Sequence, residues 1–226
     1  MSGTYFIDFH THLNINDPLP VPENVLRVLS VPLEQALLPV PHNTVKTLEL
    51  HPWQGTDYTS EFASAAAGIS FAGIGEVGLD RLKGKLPLPE QINIFTQTAL
   101  LAEDLQKPLT IHCVKCFSEL LAVYKKLRWK TPTVIHYFRG NLQLAQQLWQ
   151  HTDFILSLPP VIVQQPQLLE FLRQNPGYLQ RIVLETDDPD AGDIIRHYHN
   201  IAGILSVKTG DLQKIMQEQF ERLYHV

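Results

Sequence analysis

The chain has 226 residues, 44% of them hydrophobic and 18% charged, and carries a formal net charge of −5. That length suits one α/β barrel of roughly 250 residues with a sizeable core, and the acidic balance argues against holding nucleic acid by bulk charge alone. There is no apolar run of about 18 residues, MSGTYFIDFH lacks a basic patch followed by an apolar stretch, and two cysteines are too few for a disulfide framework, so the expectation is a cytoplasmic protein with no membrane span.

Short apolar, β-branched runs recur along the chain. They are FIDFH (6–10), VLRVLSV (25–31), TVKTLELH (44–51), FAGIGEVGL (71–79), PLTIHC (108–113), TVIHYF (133–138), DFILSL (153–158) and RIVLETD (181–187). Between the first two, DPLPVPEN is proline-rich and too short for a crossover helix; between the next two, PLEQALLPVPHN has room for one or two turns. From the fourth run onward, amphipathic segments intervene. PEQINIFTQTALLAEDLQK places Pro89 in a first helical turn and stops before Pro108, with Ile92, Phe95, Ala99, Ala102 and Leu105 as its apolar stripe. Phe117 to Leu127, Leu142 to Trp149 and Pro166 to Arg173 repeat the helical pattern. Strands alternating with helices pair in parallel. The expected fold is therefore α/β, a TIM-type (β/α)8 barrel with reduced or missing early helices, in a single domain over 1–226.

In FIDFHTHL, Asp8, His10 and His12 fall at period two, so an extended chain sends all three side chains to one side. Either the run is exposed or something inside binds an acid and two imidazoles. In a (β/α)8 barrel the chemistry gathers at the carboxyl ends of the strands. There the runs carry His10 and His12, His51, Glu76, His112, His136 and Asp187. Such donors suit a divalent transition metal, zinc or manganese most readily. The four histidines other than His51, with two acids, exceed what one tetrahedral ion uses. Two ions bridged by a carboxylate fit the count, and such a pair can clamp both ends of a displacement at phosphorus or carbon. Blander readings stand beside these: Glu76 as a capping acid, Asp187 as a turn residue before Pro189, and His51 before Pro52 as a strand terminator.

Three other features point elsewhere and carry less. Cys113 and Cys116 have the C-x-x-C spacing of a redox motif, yet His112 occupies the site position just before them, so the spacing reads as coincidence. KKLRWK (125–130) reads as a solvated helix end, and Trp53 as packing. His197 and His199, two apart on a helical segment, face away from each other.

Six motifs in order resemble the TatD family of metal-dependent hydrolases, within the amidohydrolase-like barrels. DFHTHL is similar to the family's D-x-H-x-H, LELHPW to G-x-H-P, GIGEVGLD to G-E-x-G-L-D, IHCVK to I-H-x-R, HYFRG to H-x-F-x-G and LETDDP to E-T-D-x-P. The resemblance implies His10, His12, Glu76 and Asp187 around one metal, with Glu76 bridging to a second held by His112 and His136. It implies two divalent ions (Zn, Mg or Mn), a hydroxide between them as nucleophile, and Asp187 as the acceptor of its proton. Asp8 would orient an imidazole from behind. The implied substrate is a phosphodiester, DNA ends cut from the 3′ side, with no membrane and no obligate protein partner. The chain departs from the family at Val114, which replaces the I-H-x-R arginine, and at Asp188 and Asp190 around Pro189. Arg139 offers positive charge from another direction, and His51 and Arg139 are the expected substrate contacts. The same metals could instead serve an amidohydrolase-type enzyme cleaving a small amide, ester or lactone, or sit in a barrel that binds metal without turnover.

Overall fold

The computed structural model describes residues 4–12, 21–68, 71–187 and 193–225. Asp188, Pro189, Asp190 and the first half of DPLPVPEN lie outside them. The strands are β1 (Phe6–Thr11), β2 (Val25–Val31), β3 (Thr44–Leu50), β4 (Gly73–Asp80), β5 (Leu109–Val114), β6 (Thr133–Ile135), β7 (Ile155–Leu158) and β8 (Ile182–Leu184). Each falls within or beside one of the eight apolar runs, and together they form one sheet in the order β1 to β8. The pairings described are parallel, and a parallel bridge between Thr11 and Asp187 joins the first strand to the segment after the last. Sequential parallel order with first and last strands joined is the strand plan of a (β/α)8 barrel.

The helices among the described residues are α1 (Ser60–Gly68), α2 (Leu88–Asp104), α3 (Phe117–Leu127), α4 (Leu142–His151), α5 (Pro166–Gln174), α6 (Ile194–Leu205) and α7 (Thr209–Tyr224). Between β2 and β3 there is only a 3-10 turn at Leu33–Gln35, the reduced crossover that the prolines there predict. The chain divides into two compact units: Met1–Leu29, Val40–Val45 and His136–Val226 form one, and Ser30–Pro39 and Lys46–Ile135 the other.

In the second unit α2 packs on β4 through Phe95, Ala99 and Ala102, as its periodicity requires, but Gln91 rather than Ile92 leads the buried stripe. The reason is polar. The Gln91 amide clamps the end of β4, accepting from the Asp80 N–H at 2.8 Å and donating to the Asp80 and Leu86 carbonyls. Trp129, within the basic run, is core: it packs edge-on to Phe95 and Tyr124 and donates to Thr133 Oγ1. This leaves the lysines around it as the solvated end of α3.

In the first unit α6 and α7 cover β1. Phe9 meets Phe220 of α7, and Phe6 meets the edge of Tyr198 of α6. The Tyr198 hydroxyl also behaves as a strand partner. It receives the Ile7 N–H at 3.1 Å and donates to the Ile7 carbonyl at 2.9 Å. Burial pushes its phenol far up, so it stays a donor. His197 and His199 do face apart: His197 is buried with Nε2 on the Leu158 carbonyl, and His199 lies against Thr209. Tyr198→Phe strands one buried donor and one buried acceptor at about 1–3 kcal/mol each. Thermal unfolding should show a midpoint lower by roughly 5–20 °C, with the circular dichroism spectrum unchanged.

Candidate metal centre

In the first unit, β1 delivers His10 fully buried and His12 with 40% of its side chain exposed. Asp187 meets them because the Thr11–Asp187 bridge ties its backbone to β1: its N–H donates to the His10 carbonyl and its carbonyl accepts from the His12 N–H. Asp187 has φ +70°, a left-handed conformation three residues beyond the end of β8. Its Oδ1 then lies 3.6 Å from His10 Nε2, 3.8 Å from His12 Nε2 and 3.9 Å from His136 Nδ1. These separations are too long for hydrogen bonds. They are close to the roughly 3.4 Å expected between donors sharing one tetrahedral ion at about 2.1 Å bond lengths. His10, His136 and Asp187 each offer a ligand atom within 4.8 Å of the others.

Two further acids support this set. Glu185 lies 3.7 Å from His136 Nδ1 and accepts the Tyr137 N–H through the same oxygen. Asp8 does not take the role that the sequence suggests: both its oxygens accept from Thr186, one from the backbone N–H at 2.9 Å and one from the hydroxyl at 2.6 Å. Burial pushes its carboxyl up to about 7 against the pull of those two hydrogen bonds. Asp8 therefore fixes the approach to Asp187 through its neighbour, with no imidazole among those two contacts.

In the second unit the donors are His51, Glu76 and His112. Glu76 is buried on β4, its backbone N–H held by the Ser30 hydroxyl at 3.0 Å, and that hydroxyl donates to Glu49. Its Oε1 lies 2.9 Å from His51 Nε2 and 2.5 Å from His112 Nδ1. The other nitrogens settle the chemistry. His51 Nδ1 accepts the Trp53 backbone N–H at 3.0 Å, so a neutral ring carries its proton on Nε2 and donates it to Glu76. His51 is thus built as a hydrogen-bond donor rather than a ligand. His112 Nε2 lies 3.1 Å from Asp80 Oδ2, and a ring donating there presents the Nδ1 lone pair that a metal needs. Asp80 is itself pinned by Trp53 Nε1 at 2.6 Å and by the Leu82 and Lys83 N–H groups. Burial raises the Asp80 carboxyl, but the bonds from Trp53, Lys83, His112 and Leu82 outweigh it and hold the group below the usual carboxylate range.

The structure so gathers His10, His12, His136 and Asp187 in one unit and His51, Glu76 and His112 in the other. Arg139 is exposed, its guanidinium 5.1 Å over the Tyr137 ring. Sequence reasoning missed Asp80, Ser30 and Glu185. Asp80 carries a legible signal, since it continues the period of two from Glu76 through Gly78. Cys113 and Cys116 are free, and burial pushes both thiols up, away from the reactive thiolate.

The family model described as TatD related DNase matches residues 34–225. The chain belongs to the TatD family. It is 34% identical over 120 residues to the 3′-5′ RNA nuclease TATDN2 of Homo sapiens, a match covering 51% of this chain and 16% of that protein. It is 28% identical over 149 residues to the 3′-5′ ssDNA/RNA exonuclease TatD of Klebsiella pneumoniae, covering 63% of this chain and 56% of that one. The chain thus spans about half the length of the bacterial relatives it matches. Among solved structures, a TatD homolog from Escherichia coli superposes with a TM-score of 0.76 at 18% identity, over 97% of this chain and 98% of that one. A TatD family hydrolase from Entamoeba histolytica gives 0.72 at 16%, covering 98% of each chain. The fold is the TIM-type (β/α)8 barrel, and its His, Glu and Asp clusters are able to hold metal ions. No helix among the described residues is long and apolar enough to cross a membrane.

Asp80→Asn replaces an acceptor facing Trp53 and His112 with an amide donor. Outer partners of metal-binding histidines typically carry 10–100-fold in affinity. Calorimetric titration with Zn²⁺ or Mn²⁺ should show a loss of roughly that size, with folding retained.

Proposed function

We propose that this TatD-family chain is a metal-dependent phosphodiesterase acting on single-stranded DNA or RNA from the 3′ end, with residues 1–226 working as one hydrolase domain. The observation that carries the reading is the convergence of three imidazole nitrogens at 3.6–3.9 Å on one Asp187 oxygen. The names borne by the human and bacterial relatives supply the substrate class. His10, His12, Glu76, His112, His136 and Asp187 would be the ligands of two divalent ions, and Zn, Mg and Mn all suit these nitrogen and carboxylate donors. Bound there, the ions would lower the pKa of water to roughly 7 and neutralise phosphate charge.

The chain's own residues do the rest. Water oxygen attacks phosphorus, the P–O bond to the neighbouring sugar breaks, and Asp187 takes the water proton while solvent protonates the leaving oxygen. Asp187 can do so because 28% of its side chain stays exposed. His51 holds the Glu76 carboxylate in place, and exposed Arg139 is the cation that meets substrate phosphate, since Val114 provides none. A cytoplasmic setting agrees with the two free thiols.

End-labelled single-stranded oligonucleotide, incubated with Mg²⁺, Mn²⁺ or Zn²⁺, should give a ladder shortening from the 3′ end. Chelation should abolish it, and Glu76→Ala or Asp187→Asn should slow it by about 100-fold or more while circular dichroism is unchanged. Stoichiometric metal with no cleavage under any ion would overturn the phosphodiesterase reading and direct substrate panels to small amides and esters.

A further inference from the structure

Trp53 is 41% exposed, whereas the chain's other two tryptophans, Trp129 and Trp149, are 3% and 7% exposed. It is nevertheless held in place. Its indole Nε1 donates to Asp80 Oδ2 at 2.6 Å and its backbone N–H to His51 Nδ1 at 3.0 Å. The ring lies edge to face with His51 at 4.9 Å and His112 at 5.7 Å, so it stands directly beside the Glu76 set. The Lys83 ammonium sits 4.4 Å above it, and the neighbouring Leu82 is 70% exposed. A large aromatic left in water but tethered through its indole N–H has already lost much of its rotamer freedom, so covering its face costs little further entropy.

We propose that Trp53 is a stacking platform for the nucleobase next to the scissile phosphodiester, and that Lys83 pairs with that nucleotide's phosphate. The inference rests on the nuclease reading above and names the subsite through which this chain would hold single-stranded substrate. Stacking a base on an aromatic ring is worth roughly 5- to 100-fold in affinity. An exposed ammonium over the same ring is worth only about 2- to 5-fold. A base therefore displaces Lys83 from the indole, and the freed ammonium finds the phosphate that arrives with the base. This gives an acidic chain a local grip on a polyanion at the metal site.

The test is an abasic scan with the metal-loaded enzyme. Oligonucleotides carry one abasic unit at the first, second or third nucleotide from the 3′ end, and KM and kcat are measured for wild type, Trp53→Ala, Trp53→Phe and Lys83→Ala. In wild type one abasic position should raise KM by roughly 5- to 100-fold. Trp53→Ala should raise KM on intact substrate by a similar factor and show no further abasic penalty. Trp53→Phe, which keeps a ring but loses the bond to Asp80, should retain the penalty. Lys83→Ala should raise KM and flatten its dependence on salt. An abasic penalty that survives in Trp53→Ala overturns the proposal, as does a fall in kcat at constant KM, the outcome of merely misplacing Asp80 and His112.

A second readout separates this failure from failure of the nuclease reading. Phosphorothioate-capped oligo(dT) should quench the exposed tryptophan's emission in wild type and not in Trp53→Ala. Cleavage without quenching overturns the platform alone. Quenching without cleavage overturns the phosphodiesterase reading and leaves the platform as a nucleic-acid contact; neither signal overturns both.

Discussion

Glu76 and Asp80 are carboxylates with almost no exposure, four residues apart on β4. Burying a charge costs several kcal/mol unless it is paired and hydrogen-bonded, so whatever packs against that strand has to supply partners. The glycines make this possible. A Cβ on Gly78 would lie 2.0 Å from the His112 carbonyl oxygen, and one on Gly75 would lie 2.3 Å from that of Thr110. Both have positive φ, so side chains are excluded there by conformation as well as by space. Their absence lets β5 come close enough for one imidazole, His112, to span both acids. The clamp of Gln91 on Asp80 and the seat of Glu76 on Ser30 then fix the strand from the helix side and from β2.

The two donor sets solve different problems. Around Asp187 the imidazoles stand off from the carboxylate, at distances that an ion fills and a hydrogen bond does not. Around Glu76 the contacts are closed, with two imidazole nitrogens on one oxygen. A cation that takes that oxygen must displace at least one of these contacts. His51 is the ring that can keep its proton, because Trp53 holds its other nitrogen as an acceptor. His112 is the ring that can turn ligand, because Asp80 anchors the far side.

Much of this was legible in the residues, and the parts that were not share a cause. The eight strands announced themselves because a parallel strand buried on both faces needs a nearly continuous β-branched run. Asp8, His10 and His12 were visible because period two puts polar groups where a core should be. Two helices, α1 and α7, lie outside the helical segments that the sequence predicts, although Leu212, Met216, Phe220 and Leu223 hold α7 at helical spacing. Periodicity counts apolarity and so favours Ile92 over Gln91, whereas the rotation of α2 is set by a polar clamp. Asp80 is hard to read from sequence because an acid closing a strand looks like a turn residue until its four partners are placed around it. The imidazole partner of Asp8 is what the resemblance implies; spacing gives the side chain's face but not which neighbour, Thr186 here, comes to meet it.

The partners of Glu76 close on themselves. Trp53 Nε1 reaches Asp80, Asp80 reaches His112 Nε2, His112 Nδ1 reaches Glu76, Glu76 reaches His51 Nε2, and His51 Nδ1 returns to the Trp53 backbone N–H. A ring of five residues from β4, β5 and the segment after β3 has no terminal member, so no single deletion is local. Chains of hydrogen bonds polarise one another in a buried site, and groups sharing a network do not add. Loss of Asp80 loosens His112 and frees the indole in one step; loss of His51 leaves Glu76 under-held and Trp53 without its backbone acceptor. The exposed member of the ring is also the one that can meet a substrate. Contact at Trp53 would thereby be carried through Asp80 to His112, so that a base stacked on the indole and a metal held at Glu76 would be coupled through the same hydrogen-bonded side chains.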